Sequence, residues 1–170
     1  MRMSKRLAVV ATLLALGCGG GGDDDDDGNP TGPPGGGATN GSFSVQINGA
    51  SWGAIGAINV QRQQQNNVIS FAGSGSAGGT TYGVAVSIVN ATGPGQHSLN
   101  IFAGGDGSNV SIGTSAGVGY TTGLTGGSGT LTITSLTATR IAGTFSGTAV
   151  PAGSSGANLV LVNGQFDITF

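Results

Sequence analysis

The chain has 170 residues, of which 36 are glycine, and it carries only five basic and seven acidic side chains. Three of the basic residues precede position 7 and five of the acidic ones are consecutive, so the chain from Ser42 onward is electrically neutral. A neutral segment with two arginines lacks the basic surface that nucleic acids require, and its few acids with one His disfavour a conventional metal or acid–base site. The composition therefore predicts no nucleic-acid partner, no cofactor and no enzyme activity.

The N-terminal residues have the layout of a secretory signal peptide. Arg2, Lys5 and Arg6 precede an apolar run over residues 7–16, which ends at Gly17-Cys18. A helix of that length rises only about 15 Å, whereas the hydrocarbon core of a bilayer is about 30 Å thick. We therefore expect a signal peptide over residues 1–17 rather than a membrane-spanning helix.

The residues Leu14-Ala15-Leu16-Gly17-Cys18 resemble the lipobox of bacterial lipoproteins, with Ala15 where leucine is usual. The resemblance implies cleavage before Cys18, a thioether-linked diacylglycerol on its sulfur and an amide-linked acyl chain such as palmitate. Several acyl chains give stable anchoring, whereas one chain gives only marginal binding. The alternative is an ordinary cleaved signal peptide with an incidental cysteine. Cys18 is the only cysteine, so no internal disulfide can form.

Residues 18–41 are predicted to be a disordered linker that begins with the lipidated cysteine. Residues 19–41 consist mainly of Gly, Asp, Pro, Asn and Thr, a composition that buries too little apolar surface to offset ordering entropy. As a flexible coil it would span about 25 Å on average. The aspartates at residues 23–27 could hold a divalent cation loosely, but a solvated spacer is the preferred interpretation. Gly19 does not match the Asp that resembles an inner-membrane retention signal, so the outer membrane is the expected destination.

From residue 42 onward, apolar residues alternate with polar ones, which is the period of half-buried β-strands. Residues 43–48 and 165–170 show the pattern, and they adjoin the turn dipeptides Asn48-Gly49 and Asn163-Gly164. Further strands are expected at residues 54–61, 67–75, 80–90, 96–102, 109–114, 129–137, 140–150 and 158–163, with a hairpin turn near Ala138. The sequence predicts an all-β domain over residues 42–170, an antiparallel β-sandwich or lipocalin-like barrel of about eight to ten strands.

The aromatic residues supply the expected core. The core candidates are Trp52, Phe43, Phe71, Phe145, Phe166 and Phe170. The alternative for Trp52 is an exposed position on a sugar-binding platform.

Residues 43–52, 129–134, 141–147 and 162–170 together resemble a family of small bacterial lipoprotein domains of unknown function. The shared pattern is an opening strand with Asn-Gly and Trp, a late Ile-x-Gly-Thr-Phe strand and a closing Asn-Gly-x-Phe strand. These segments cover about a quarter of the domain. The resemblance implies a β-sandwich or lipocalin-like architecture on the cell surface or periplasmic side, and it brings no catalytic residue.

Three weak signals for chemistry remain. Residues 113–117 match the Gly-x-Ser-x-Gly pattern of a nucleophile elbow, and Ser115, His97 and Asp167 would form its triad. The pattern arises readily by chance in a chain this rich in glycine and serine, and the strand-turn-helix context is missing. Asp106 and Asn109 are weak candidates for Ca²⁺ ligands. The glycine-rich segment 73–79 lacks the Gly-Lys-Ser/Thr ending of a phosphate loop and is interpreted as a turn.

The leading hypothesis is a non-enzymatic, lipid-anchored protein of the bacterial cell envelope that displays its β-domain for binding, adhesion or surface structure. The membrane is the expected partner through the lipid anchor, and a protein or glycan partner stays open. The second hypothesis is a lipocalin-like carrier that encloses a small apolar ligand. A hydrolase is the third, and it would require His97, an aspartate and a serine to converge in a cleft.

Overall fold

The computed structural model describes residues 40–100, 102, 104–153 and 156–170. In this part of the chain every strand pairing is antiparallel, and there are eleven strands. They are β1 (Gly41–Ile47), β2 (Ala50–Gly53), β3 (Asn59–Gln63), β4 (Val68–Ala77), β5 (Thr80–Ile88), β6 (Gly95–Ser98), β7 (Asn109–Thr114), β8 (Gly119–Thr121), β9 (Ser128–Leu136), β10 (Arg140–Pro151) and β11 (Leu159–Thr169). The predicted all-β class is confirmed, with eleven strands instead of eight to ten. The predicted signal peptide, Cys18 and linker residues 19–39 lie outside the described residues.

The strands form one open antiparallel sheet that divides at β10. Residues 141–148 of β10 pair with β9, whereas Val150 and Pro151 pair with β8. Sheet A, as we name it, therefore has the strand order β2-β1-β11-β10-β9-β6, and sheet B has the order β8-β7-β5-β4-β3. The hairpin predicted around Ala138 is confirmed as β9 and β10. The turn predicted at Asn48-Gly49 joins β1 to β2, and the positive φ angles of both residues, 49° and 83°, suit a two-residue hairpin turn.

The core lies between the two sheets and is built around aromatic rings. The Phe43 ring centroid lies 5.1 Å from those of Trp52 and Phe71 and 6.0 Å from that of Phe145, and Phe71 lies 4.9 Å from Phe166. Each of these five side chains is at most 3% exposed. Because Phe71 belongs to sheet B and the other four belong to sheet A, the rings join the sheets. The predicted core role of these five residues is confirmed.

Trp52 is a core residue and not a surface platform. Only 2% of its surface is exposed, and its Nε1–H donates to the Tyr82 carbonyl oxygen at 3.2 Å. The hydrogen bond satisfies the polar atom of an otherwise apolar side chain. The interpretation of Trp52 as an exposed sugar-binding residue is therefore wrong.

Phe170 is the one predicted core residue that the structure places at the surface. It is 39% exposed and follows the last residue of β11. Its ring centroid lies 5.4 Å from the guanidinium carbon of Arg62, in a cation–π contact. The alternating pattern places Phe170 on the inner face of the sheet. However, β11 ends at Thr169, and Phe170 therefore lies beyond the packed core.

Several strand boundaries differ from the predicted ones. The strand expected at 54–61 lies at Asn59–Gln63, and the strand expected at 96–102 ends at Ser98, with Phe102 65% exposed. Strands β2 and β8 were not predicted, because four and three residues are too few to show a period. The strands expected at 158–163 and 165–170 form the single strand β11, which passes through Asn163-Gly164 without a turn.

The chain enters the domain at Asn40. The Asn40 side chain accepts a hydrogen bond from the Ile58 N–H and donates one to the Ile58 carbonyl oxygen, both at 2.8 Å. Its own carbonyl oxygen accepts from the Thr169 N–H at 2.8 Å. Strand β1 then begins at Gly41, so Asn40 and Gly41, the last residues of the predicted linker, belong to the β-domain.

Candidate functional site

The outer face of sheet A carries a concave patch of hydroxyl and amide side chains. Alternation along β9 buries Leu131 and Ile133 and turns Thr130 and Thr132 outward. Alternation along β10 in the same way buries Phe145 and leaves the side chains on either side exposed. The outward side chains of β9, β10 and β11 together form what we call the polar groove, defined by Thr130, Thr132, Thr144, Ser146, Asn163 and Gln165.

The strand register aligns these side chains in rows across the sheet. Thr132 pairs with Thr144, and Thr144 pairs with Gln165. The row continues to Gln96 of β6 on one side and to Ser44 of β1 on the other. Neighbouring strands lie about 4.8 Å apart, so a single row presents hydrogen-bonding groups at regular spacing across five strands.

A β-bulge in β11 shapes the groove. On β10, Phe145 pairs with Gly164 and Gly147 pairs with Leu161, so Ser146 alone faces two residues, Val162 and Asn163. Asn163 has a φ of 54°, in the left-handed region that asparagine tolerates better than most residues. Bulges bend a strand and redirect side chains, and here the Asn163 amide nitrogen donates to Gln46 Oε1 at 3.3 Å.

The groove has a volume of about 300 Å³, at the lower end of the range for ligand pockets. Its lining side chains carry no formal charge, and Phe145 and Gly164 complete the lining. The side chains of Thr130, Thr132, Thr144, Ser146 and Gln165 take part in none of the hydrogen bonds found among the described residues. Their donors and acceptors are therefore available to solvent or to a ligand.

The closest charges along these strands neutralise each other. Arg140 of β10 donates to both carboxylate oxygens of Asp167 of β11, at 2.7 Å from Nε and 2.5 Å from Nη2. Hydrogen bonding to Arg140 holds the pKa of Asp167 below its usual value, and the same contact raises the pKa of Arg140. Because the pair is bidentate and self-compensating, it adds no net charge beside the groove.

The histidine predicted for a hydrolase triad pairs with a different aspartate. His97 Nδ1 lies 2.7 Å from Asp106 Oδ2, while Asp167 is bound to Arg140. Ser115 lies between β7 and β8, in a strand-turn-strand connection without the helix of a nucleophile elbow. The three residues of the predicted triad therefore have separate partners.

Asp106 is instead the centre of a partly buried polar network that includes Ser108. The Ser108 N–H donates to Asp106 Oδ1 at 3.0 Å, and Ser108 Oγ accepts from the Val89 N–H at 3.0 Å. Burial raises the pKa of Asp106, but hydrogen bonds from Ser108 and His97 outweigh burial and leave the pKa below its usual value of 3.8. The serine contacts the acid rather than the imidazole and is fully buried. The network thus holds Asp106 against His97 of β6 and Ser108 against Val89, and it does not have the order of a nucleophile, base and acid.

The weak Ca²⁺ candidates are occupied by internal hydrogen bonds. Both carboxylate oxygens of Asp106 have partners in the network, and Asn109 Oδ1 accepts from the Ser111 hydroxyl at 3.2 Å. Among the described residues, no three His, Cys, Asp or Glu side chains are grouped to hold a metal ion. In the same part of the chain, no helix is long and apolar enough to cross a membrane.

The polar groove was not anticipated as a site from the sequence. Its signal is present, because the segments Thr130-Leu131-Thr132 and Thr144-Phe145-Ser146 place hydroxyls on the face opposite the core. The missing information was the register that brings β9, β10 and β11 side by side and the bulge that makes their outer face concave. Comparison of the chain with protein-family models, curated proteins and solved structures gave no significant match.

Proposed function

We propose that the protein is a non-enzymatic, lipid-anchored protein of the bacterial cell envelope whose β-domain binds a partner through an exposed face. The observation that carries the anchor is the position of the single cysteine. Cys18 directly follows Gly17 at the end of the apolar segment 7–16, which three basic residues precede. Lipidation there, with Gly19 next, would hold the domain at the outer membrane on its periplasmic or surface face.

The filled interior supports display of a surface over transport of an enclosed ligand. A carrier needs an internal cavity of several hundred Å³, whereas the space between sheets A and B holds the rings of Phe43, Trp52, Phe71, Phe145 and Phe166 in mutual contact. The polar groove, by contrast, lies on the outer face of sheet A. A ligand at the outer face needs no opening of the core.

The polar network also supports binding over hydrolysis. Hydrolysis by a serine requires its hydroxyl to contact a general base and to face a substrate. Ser108 is fully buried and bound to Asp106 and Val89. Ser115 is in the turn between β7 and β8, where its N–H donates to the Thr81 carbonyl oxygen. The contacts of Ser108 are those of a structural residue.

Mass spectrometry of the mature protein tests the anchor. We expect the wild-type chain to begin at Cys18, to carry a lipid-sized mass increment and to take up labelled fatty acid during growth. The Cys18→Ala variant should carry no lipid and should leave the membrane fraction, because its sulfur attachment point is gone. An unmodified thiol on a freely soluble wild-type protein would refute the anchor.

Fractionation of the two membranes tests the destination. The wild-type protein should be recovered with the outer membrane, and a Gly19→Asp variant should shift to the inner membrane if the resemblance to a retention signal applies. Recovery of the wild-type protein with the inner membrane would contradict the expected location while leaving the lipid attachment intact.

A further inference from the structure

We infer that the polar groove on the outer face of sheet A is a binding site for a neutral carbohydrate, either a monosaccharide or a short stretch of a glycan. The inference deepens the binding function proposed above and rests on it. Three features of the groove carry the inference: the chemistry of its lining, its shape, and the apolar surface beside it.

The lining chemistry matches a neutral polyhydroxylated ligand. Thr130, Thr132, Thr144 and Ser146 each offer a hydroxyl that can both donate and accept, and Gln165 offers an amide with two donors and an acceptor. Sugar hydroxyls have the same dual character, so each can find a partner in either direction. The five side chains make no hydrogen bonds within the described part of the protein, so a ligand would break no internal contact.

Other classes of ligand fit the lining less well. An anionic ligand needs a cationic or strongly donating partner, and Arg140 near this face already makes a bidentate pair with Asp167. A fully apolar ligand would remove water from hydroxyls and amides without replacing their hydrogen bonds, which is unfavourable. The neutral, dual-character groups of the groove therefore favour a carbohydrate.

The shape of the groove is built into β11. The bulge places two residues, Val162 and Asn163, opposite Ser146, and Asn163 occupies a left-handed backbone conformation. Such conformations cost energy and persist where the surrounding structure enforces them, often at binding sites. Ser146 and Asn163, which face each other at this bulge, both line the recess of about 300 Å³.

An apolar strip lies beside the hydroxyl array. Val160 and Val162 face outward from β11 and are 49% and 37% exposed. Sugars have C–H faces as well as hydroxyls, so valine methyl groups next to hydroxyl and amide groups suit both parts of a sugar ring. Val160 and Val162 alternate with the buried Leu159 and Leu161, so their methyl groups are open to a ligand on the outer face of β11.

A carbohydrate array identifies the ligand. The full-length Cys18→Ala protein, labelled with a fluorophore at its N-terminal amine, is applied to immobilised neutral, amino and uronic-acid oligosaccharides. We expect retention by neutral members and no retention by the uronic-acid members. The strongest neutral binder is then titrated in soluble form by calorimetry. An array with no neutral binder, or with only acidic or amino binders, would overturn the inference, as would binding only to a protein.

Paired substitutions and chemical-shift mapping locate the site. Thr132→Val with Thr144→Val removes two adjacent hydroxyls while keeping strand-compatible, equally sized side chains. We expect the double variant to raise Kd by about tenfold, equivalent to about 1.4 kcal/mol. The matched control is Thr81→Val, at an exposed position on β5 in sheet B, and it should leave Kd unchanged. In the Cys18→Ala protein with no further substitution, amide shifts on titration should concentrate in residues 130–132, 144–146 and 163–165.

The possible results separate the two proposals. Equal loss of affinity in the double variant and in Thr81→Val would overturn the inference. Amide shifts confined to sheet B would also overturn it, and that measurement does not depend on whether the double variant folds. Because the binding experiments use a chain that cannot be lipidated, failure of the lipid anchor would not affect them. Failure of sugar binding would likewise leave the lipid measurements unchanged.

Discussion

Gly164 is the position where one added methyl group should most directly test the packing of sheet A. A Cβ at Gly164 would lie 2.5 Å from Cδ1 and Cε1 of Phe145 and 2.6 Å from the Phe145 carbonyl oxygen. The oxygen belongs to the backbone of the adjacent strand, so the clash cannot be relieved by a change of side-chain rotamer alone. Overpacking of this kind costs about 1–3 kcal/mol, and we expect Gly164→Ala to be destabilised by that amount.

Thermal unfolding followed by circular dichroism measures the effect. At roughly 4 °C per kcal/mol for a domain of this size, Gly164→Ala should lower Tm by about 4–12 °C. The matched control is Gly83→Ala in β5, where an added Cβ meets nothing within 4 Å and the backbone conformation is ordinary. Because glycine within a strand carries an entropic cost of about 0.5–1 kcal/mol relative to alanine, the control should be as stable as the wild type or more so.

A double variant tests whether Phe145 is the cause. Phe145→Leu removes the ring atoms that face Gly164 but leaves the carbonyl contact. Gly164→Ala with Phe145→Leu should therefore lose less stability than the sum of the two single changes, with a coupling of about 0.5–3 kcal/mol. If Gly164→Ala were as stable as Gly83→Ala, or if the two changes at positions 164 and 145 were additive, the described packing of β10 against β11 would be refuted.

Three further changes probe the core, the polar network and the entry of the chain. Phe43→Ala removes the ring that contacts three other aromatic side chains and should cost about 3–5 kcal/mol in urea unfolding. A loss below about 1 kcal/mol, a third of the lower bound, would contradict its central place in the core. Asp106→Asn should cost about 2 kcal/mol at pH 7. Folding lowers the pKa of Asp106, so its contribution to stability is present above the unfolded-state pKa and is lost as pH falls through the folded-state pKa. The unfolding free energies of wild type and variant, measured in urea, should therefore converge below about pH 4. A difference between them that is unchanged at pH 3, about one unit below the usual pKa of Asp, would contradict the role of the Asp106 carboxylate. Asn40→Ala removes both bonds to Ile58 and should cost about 1–2 kcal/mol, with faster hydrogen exchange at the Ile58 amide; unchanged exchange there would contradict the role of Asn40.

The sequence was most informative where a period and a turn signal coincide. Strand β1 has three alternating apolar residues, and Asn48-Gly49 supplies the positive φ angles that a tight hairpin needs. The hairpin of β9 and β10 was found for a similar reason, because two long alternating runs flank a short polar turn. In both cases the turn and the strand before it can be recognised from the local sequence.

The sequence was least informative where the partner strand decides the outcome. Asn163-Gly164 is the same dipeptide as Asn48-Gly49, yet it forms a bulge within β11, because β1 and β10 pair with β11 on both sides and continue past the dipeptide. Similarly, Ile55 belongs to a segment that was predicted to be a strand but is 76% exposed, because the strand that pairs with β4 begins only at Asn59. Local preference cannot distinguish these outcomes, since both depend on neighbours far away in the chain.

The bulge at Asn163 and Gly164 connects the core of the domain with its candidate binding surface. On the inner side of β11, the absent side chain of Gly164 leaves room for the Phe145 ring, which contacts Phe43 in the core. On the outer side, Ser146 and Asn163 of the same bulge line the recess. A change that straightened β11 would therefore alter both the packing of Phe145 and the depth of the groove. For this reason the stability of Gly164→Ala and its affinity for a sugar should fall together, whereas Thr132→Val with Thr144→Val should lower affinity and leave the core intact.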